Sequence, residues 1–242
     1  VVDLGIDEST DKKNEISLAG IIGKKLMESG TENIAKGAAM SYETAIKAIE
    51  AGIEVTDKLI SEGYNLFATG EMGIGNTTTS SAILKAFTDL SLDDITGYGS
   101  GIDEDTLTHK KNVIRKALEI NCIPEKKEEI DPIEILAKVG GLDIAGMAGI
   151  FLSCGKNAVP VVIDGLISGV AALIAYKLCK EVKGYMIASH LSEEPGMKYI
   201  MKEIGVEPCL FMNMKLGEGT GAVMMFPVIE GACSITGTVR KY

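Results

Sequence analysis

Three glycine-dense turns carry the residues best suited to chemistry. Thr69-Gly70-Glu71-Met72-Gly73-Ile74-Gly75-Asn76-Thr77-Thr78-Thr79 sets one carboxylate among three glycines. The glycines let a backbone approach a ligand closely, and Asn76 or Thr77 would cap a helix whose free N–H groups favour an anion. No lysine supplies a Walker A loop, and Gly73-Ile74-Gly75 lacks the third glycine of a dinucleotide fingerprint. A tight turn with a capped helix is the plain alternative, but a carboxylate such as Glu71 has little packing use there. Thr96-Gly97-Tyr98-Gly99-Ser100-Gly101-Ile102-Asp103 precedes a helix with His109, Lys110 and Lys111. Backbone donors at such a loop and a lysine along the helix suit a phosphate. Adjacent helical residues point about 100° apart, so at most one of the two lysines reaches inward and the other belongs to a solvated face. In Lys215-Leu216-Gly217-Glu218-Gly219-Thr220-Gly221-Ala222, Glu218 stands between two glycines, either as an acid–base group open to a cleft or as part of a surface turn.

Two further segments, Ile163-Asp164-Gly165 and Ser189-His190-Leu191-Ser192-Glu193-Glu194-Pro195-Gly196, end apolar runs. Taken singly, Asp164-Gly165 reads as a turn closing a buried strand and His190 as a hydrogen-bonded residue at a strand terminus.

The elements that must position these loops follow from the apolar pattern. Short strands are expected at 1–6, 64–69, 158–164, 185–189 and 209–212, and helices at 32–52, 77–90, 104–120, 132–139, 142–154, 166–180, 195–204 and 221–232. This is the rhythm of βαβ units. Val159-Pro160-Val161-Val162-Ile163 is apolar on both alternating faces, as a strand between helix layers must be. The expected class is α/β, a three-layer Rossmann-like parallel sheet with helices on both faces; ligands then belong at the strand C-termini, and all five loops are expected on that same edge of the sheet. The charged run 123–131 (IPEKKEEID) is expected to be a solvated connector.

Composition narrows the function. The chain has 242 residues, 46% of them hydrophobic, and carries a net charge of −10. It is long enough for a sizeable core, and no apolar run approaches a membrane span. A negative overall field disfavours nucleic acid and anionic lipid as partners, although a local pocket can still bind an anion. Five scattered cysteines without a CxxC, and two histidines, give no disulfide framework, no zinc site and little material for a histidine triad. Acid–base work falls to carboxylates, and a reducing cytoplasm fits the cysteine usage.

GEMGIGNTTTSSAI, GYGSGID followed by HKK, VGGLDIAGMAG, VPVVIDGLISGVAAL, ASHLSEEPG and LGEGTGA, in this order, resemble the nicotinate-nucleotide–dimethylbenzimidazole phosphoribosyltransferase family over about Val1 to Met225. The resemblance implies transfer of a 5-phosphoribosyl group from nicotinate mononucleotide to 5,6-dimethylbenzimidazole or a related base. It also implies a homodimer, no cofactor and no metal. It carries the general base over to Glu218 and a supporting carboxylate to Glu71. Substrate binding is implied for Gly73, Gly75, Asn76, Thr77, Gly99, Gly101, Lys110 or Lys111, Asp164, Gly165, Ser192, Leu216 and Gly217. It further implies one α/β phosphoribosyltransferase domain over 1–242, with the small helical domain incomplete because family members carry an additional N-terminal segment, and an ending at Ile235–Tyr242 unlike the family's.

Two other readings stand beside it. A chain that binds a nucleotide without turnover has the same loops, although retention of both Glu71 and Glu218 argues against it. Leu92-Asp93-Asp94-Ile95-Thr96-Gly97 is similar to the Asp-Asp-x-Thr-Gly loop of magnesium-dependent phosphoribosyl-pyrophosphate transferases, but the preceding 87–91 is too polar for the buried strand such a loop requires.

Overall fold

The computed structural model describes residues 1–6, 21–124 and 130–238. Three short parallel strands form its central sheet: β3 (Phe67–Ala68), β4 (Val161–Ile163) and β5 (Met186–Ala188), in the order β3-β4-β5. Phe67 pairs with Val161, and Val161 with Met186. A second parallel pair joins β1 (Val2–Asp3) to β2 (Ile22–Gly23), a strand that the apolar pattern did not signal. The run 209–212 contributes only an isolated bridge, Leu210 to His190, where a fifth strand was expected.

Alternation along β4 divides the core. Val161 and Ile163 face the larger cluster with α2 (Asn76–Phe87), α6 (Leu142–Lys156), α7 (Leu166–Leu178) and α8 (Met197–Ile204). Val162 points the other way, toward Ala222 and Met225 of the segment that forms α9 (Thr220–Met224) and α10 (Phe226–Thr238). The sheet thus has helices on both faces and the expected α/β class is observed.

Helix starts follow their caps. α4 (Glu104–Ile120) begins where the Asp103 side chain accepts the N–H of Thr106, and α5 (Pro132–Val139) where Asp131 accepts that of Ile133, with proline in the first turn. α1 runs Tyr42–Ser61, about ten residues later than expected, because Ser41 caps it through the N–H of Thr44. Gly52, expected to end that helix, lies inside it. A methyl there would overlap the carbonyl oxygen of Gly146 on α6, and a methyl on Gly149 would overlap that of Ile49, so glycines let the two helix backbones touch. The single helix expected over 221–232 is two, divided at Met225 just before Phe226-Pro227.

The acids at 93–94 lie in α3 (Leu92–Ile95), not in an open loop: Ser91 and Asp94 form a reciprocal capping box, and Asp93 pairs with Lys111 at 2.7 Å. Residues 125–129 of the charged connector and the ending at 239–242 lie outside the described residues.

Candidate active site

Glu71 leaves the end of β3, and Glu218 sits on the turn before α9. Their loops are in backbone contact: a Cβ on Gly70 would stand 2.7 Å from the nitrogen of Gly219, and one on Gly217 would stand 3.1 Å from a Glu71 carboxylate oxygen. Glu218 is exposed and takes the left-handed conformation, φ 63°. A non-glycine residue at positive φ is uncommon and occurs where the surroundings over-determine it.

Glu71 is half-buried and accepts a hydrogen bond from the Asn76 amide. Burial pushes its carboxyl up to about 7; the Asn76 bond pulls the other way, and the charges of Asp143, Asp164 and Glu218 add to the rise. Asn76 stands at the first helical position of α2. Contrary to the expectation from sequence, its side chain does not cap the helix but bridges Glu71 to Asp143, whose Oδ2 lies 2.9 Å from the Asn76 Nδ2. The cap position falls to Gly75, at φ 80° with no side-chain bond, and the Thr78 N–H donates to the Gly75 carbonyl at 2.9 Å. Asp143 was not singled out in the sequence; its only signal was an acid two residues after Gly140-Gly141, in the first turn of α6.

Asp164, expected to bind substrate, is 2% exposed and already engaged. Its Oδ2 accepts the N–H of Gly219 at 3.1 Å and its Oδ1 that of Ala222 at 3.0 Å. Its own N–H donates to Ser168 Oγ at 3.0 Å, which lies 2.6 Å from Thr69 Oγ1. His190 is fully buried. Burial lowers its pKa, against the Asp164 charge, and its Nδ1 is 3.0 Å from Ser189 Oγ.

A cleft of about 300 Å³ opens between loop 97–101, the start of α2, and Thr106, His109 and Lys110 of α4. Lys110 is the inward lysine: 8% exposed, it donates to Thr77 Oγ1 at 2.9 Å and to the Gly97 carbonyl at 3.0 Å. Burial lowers its pKa, opposed by the charge of Glu194. Lys111 turns outward to Asp93 and takes no part in the cleft. Glu194, also unremarked in the sequence, accepts the Gly99 N–H at 2.8 Å. Ser192 is buried and its Oγ accepts the Glu194 N–H at 3.3 Å, so that hydroxyl shapes the loop. Gly75, Gly101 and Gly165 face open space, while Gly73 packs against Asp143 and Asn76. Leu216 is exposed beside Gly217. Among the described residues, no group of three or more His, Cys, Asp and Glu side chains could hold a metal ion.

The site therefore has two parts at one sheet edge. One is an acid pair with unequal environments; the other is a glycine-walled cleft floored by a buried ammonium group. The first can move a proton and the second can hold an anion.

A family model described as phosphoribosyltransferase matches residues 1–242. The chain belongs to the nicotinate-nucleotide–dimethylbenzimidazole phosphoribosyltransferase family. Members carrying that name from Clostridium tetani and Desulforamulus reducens are 48% identical over 96% of this chain and 50% identical over 89% of it, respectively. These alignments cover 61% and 60% of the two relatives, so the chain spans about three fifths of their length. The crystal structure of CobT from Thermus thermophilus superposes on the whole chain, and on 72% of its own, with a TM-score of 0.87 at 33% identity.

Proposed function

We propose that the protein transfers the 5-phosphoribosyl group of nicotinate mononucleotide to 5,6-dimethylbenzimidazole or a related base. The products are nicotinate and α-ribazole 5′-phosphate. The observation that carries this reading is the meeting of the Glu71 and Glu218 loops beside the cleft of Lys110.

In this reading the substrate phosphate occupies the cleft, held by Lys110 and by the backbone of loop 97–101. Nicotinate departs from a pyridinium, so breaking its bond to C1′ relieves positive charge on the ring. One azole nitrogen attacks C1′ from the opposite face and inverts the anomeric centre, while the other nitrogen loses its proton to Glu218. Glu71 holds a proton more readily than an ordinary carboxyl, so it can stand neutral and leave the role of base to Glu218. Holding two rings in line for displacement supplies much of the acceleration. The same reading takes the protein as a cytoplasmic homodimer. Exposed apolar side chains at Phe211, Val223, Val228 and Ile235 support an interface, and free cysteines support a reducing compartment.

The test is to incubate the purified chain with nicotinate mononucleotide and dimethylbenzimidazole and to assay free nicotinate, with the full-length C. tetani relative as positive control. Release is expected to fall about 10²- to 10⁴-fold in Glu218→Gln. Equal rates for the variant and the unaltered chain would remove Glu218 as the base, and no release under conditions where the control turns over would remove the activity.

A further inference from the structure

The proposed chemistry depends on where the Glu218 carboxylate stands, and the turn that carries it is closed locally by a backbone bond from the Thr220 N–H to the Gly217 carbonyl at 3.2 Å. Gly219, the cap residue of α9, offers no side-chain hydrogen bond, and Glu218 and Gly219 both sit at positive φ. What meets the buried amides at the start of α9 comes from far away in sequence: the buried carboxylate of Asp164, at the end of β4, accepts from both Gly219 and Ala222. Gly221 makes the approach possible. A Cβ there would overlap the His190 ring and stand 3.0 Å from Asp164 Oδ1.

We propose that Asp164 is the positioning residue of the Glu218 turn: a helix cap delivered from the central strand that fixes the base without touching substrate. The proposal rests on the functional reading above. Asp164 reaches the Glu71 side as well, because its N–H bonds to Ser168 Oγ, and Ser168 Oγ meets Thr69 two residues before Glu71. One residue at the C-terminal end of β4 thus holds both acid-bearing loops, one through its carboxylate and one through its backbone. A carboxylate suits the task because it presents two acceptors and no donor, whereas an amide would turn an N–H toward one of the two backbone N–H groups.

The experiment compares Asp164→Asn and Gly221→Ala with the unaltered chain in two assays. Hydrogen–deuterium exchange of the peptide spanning 215–223 reads the turn directly, with the peptide spanning 166–178 as internal control. Asp164→Asn is expected to raise exchange in 215–223 at least about tenfold while α7 stays protected. Nicotinate release reads the consequence: kcat falls by roughly ten- to a hundredfold, with KM for nicotinate mononucleotide within about twofold, because a displaced base costs the chemical step and leaves the Lys110 cleft intact. Gly221→Ala, which keeps the carboxylate and pushes α9 off it, is expected to lower kcat in the same way, and it carries the test if Asp164→Asn does not fold. Unchanged exchange in 215–223 overturns the proposal, as does a rise in KM that accounts for the whole loss of activity. If the unaltered chain releases no nicotinate, the functional reading fails by itself, and the exchange comparison alone decides whether Asp164 holds the turn.

Discussion

Replacing Glu71 with glutamine gives a pH-dependent change in stability whose sign is fixed by the site. In the unfolded chain this carboxyl titrates near its ordinary value of 4.5, and in the folded protein burial moves it to about 7. Between those values the native state holds a proton that the unfolded state has released, so stability falls as pH rises through this window. The favourable contribution of the neutral group is complete below about 4.5 and gone above about 7. Taken at face value the displacement corresponds to ~3 kcal/mol. The side chain is only partly buried, and solvent screening reduces this to about 1–2 kcal/mol. Glutamine preserves an acceptor for the Asn76 amide and stays neutral throughout. Glu71→Gln is therefore expected to gain about 1–2 kcal/mol over the unaltered chain between pH 5 and pH 8, seen as a relative rise in Tm of roughly 2–8 °C for a chain of this size. Thermal melts of both proteins at the two pH values measure it. A Tm difference identical at pH 5 and pH 8 would refute the desolvated acid.

The two lysines give a second test. Lys110→Met is expected to raise KM for nicotinate mononucleotide by about ten- to a hundredfold, the loss of one charge-assisted contact, while Lys111→Met stays within about twofold; steady-state kinetics that show equal effects would contradict the inward and outward assignment. A third concerns the scaffold. Gly149→Ala forces α1 and α6 apart and is expected to cost about 1–3 kcal/mol, read as a lower midpoint in urea with an unchanged slope.

Most of the large helices were legible because their ends are written in local chemistry. Asp103 before Glu104 and Asp131 before Pro132 mark the starts of α4 and α5 by side-chain caps that need no tertiary partner. α1 was misplaced because Gly52 resembles a terminator and serves instead as a contact point for α6, a role visible only when both helices are present. β2 was invisible for a similar reason: two residues, Ile22–Gly23, carry no periodicity and pair only because β1 lies alongside.

The candidate site shows the same division. Glycine turns after apolar runs located Glu71 and Glu218, a glycine turn before a helix located Gly99, and the helical angle between Lys110 and Lys111 allowed only one to face inward. Sequence did not give the bridge from Asn76 to Asp143, the bond from Glu194 to Gly99, or the engagement of Asp164 with α9, since each joins residues on different loops. A carboxylate that accepts backbone amides looks the same in a sequence as one that awaits a ligand.

The abutment of Gly70 with Gly219 leaves no space for even one methyl group between two stretches of chain that the ribosome delivers far apart in time. Glu71 is made first and waits until the chain has been extended to its companion. A chain that stops short of Glu218 can retain the residues of the anion cleft, yet it lacks the carboxylate proposed as the base.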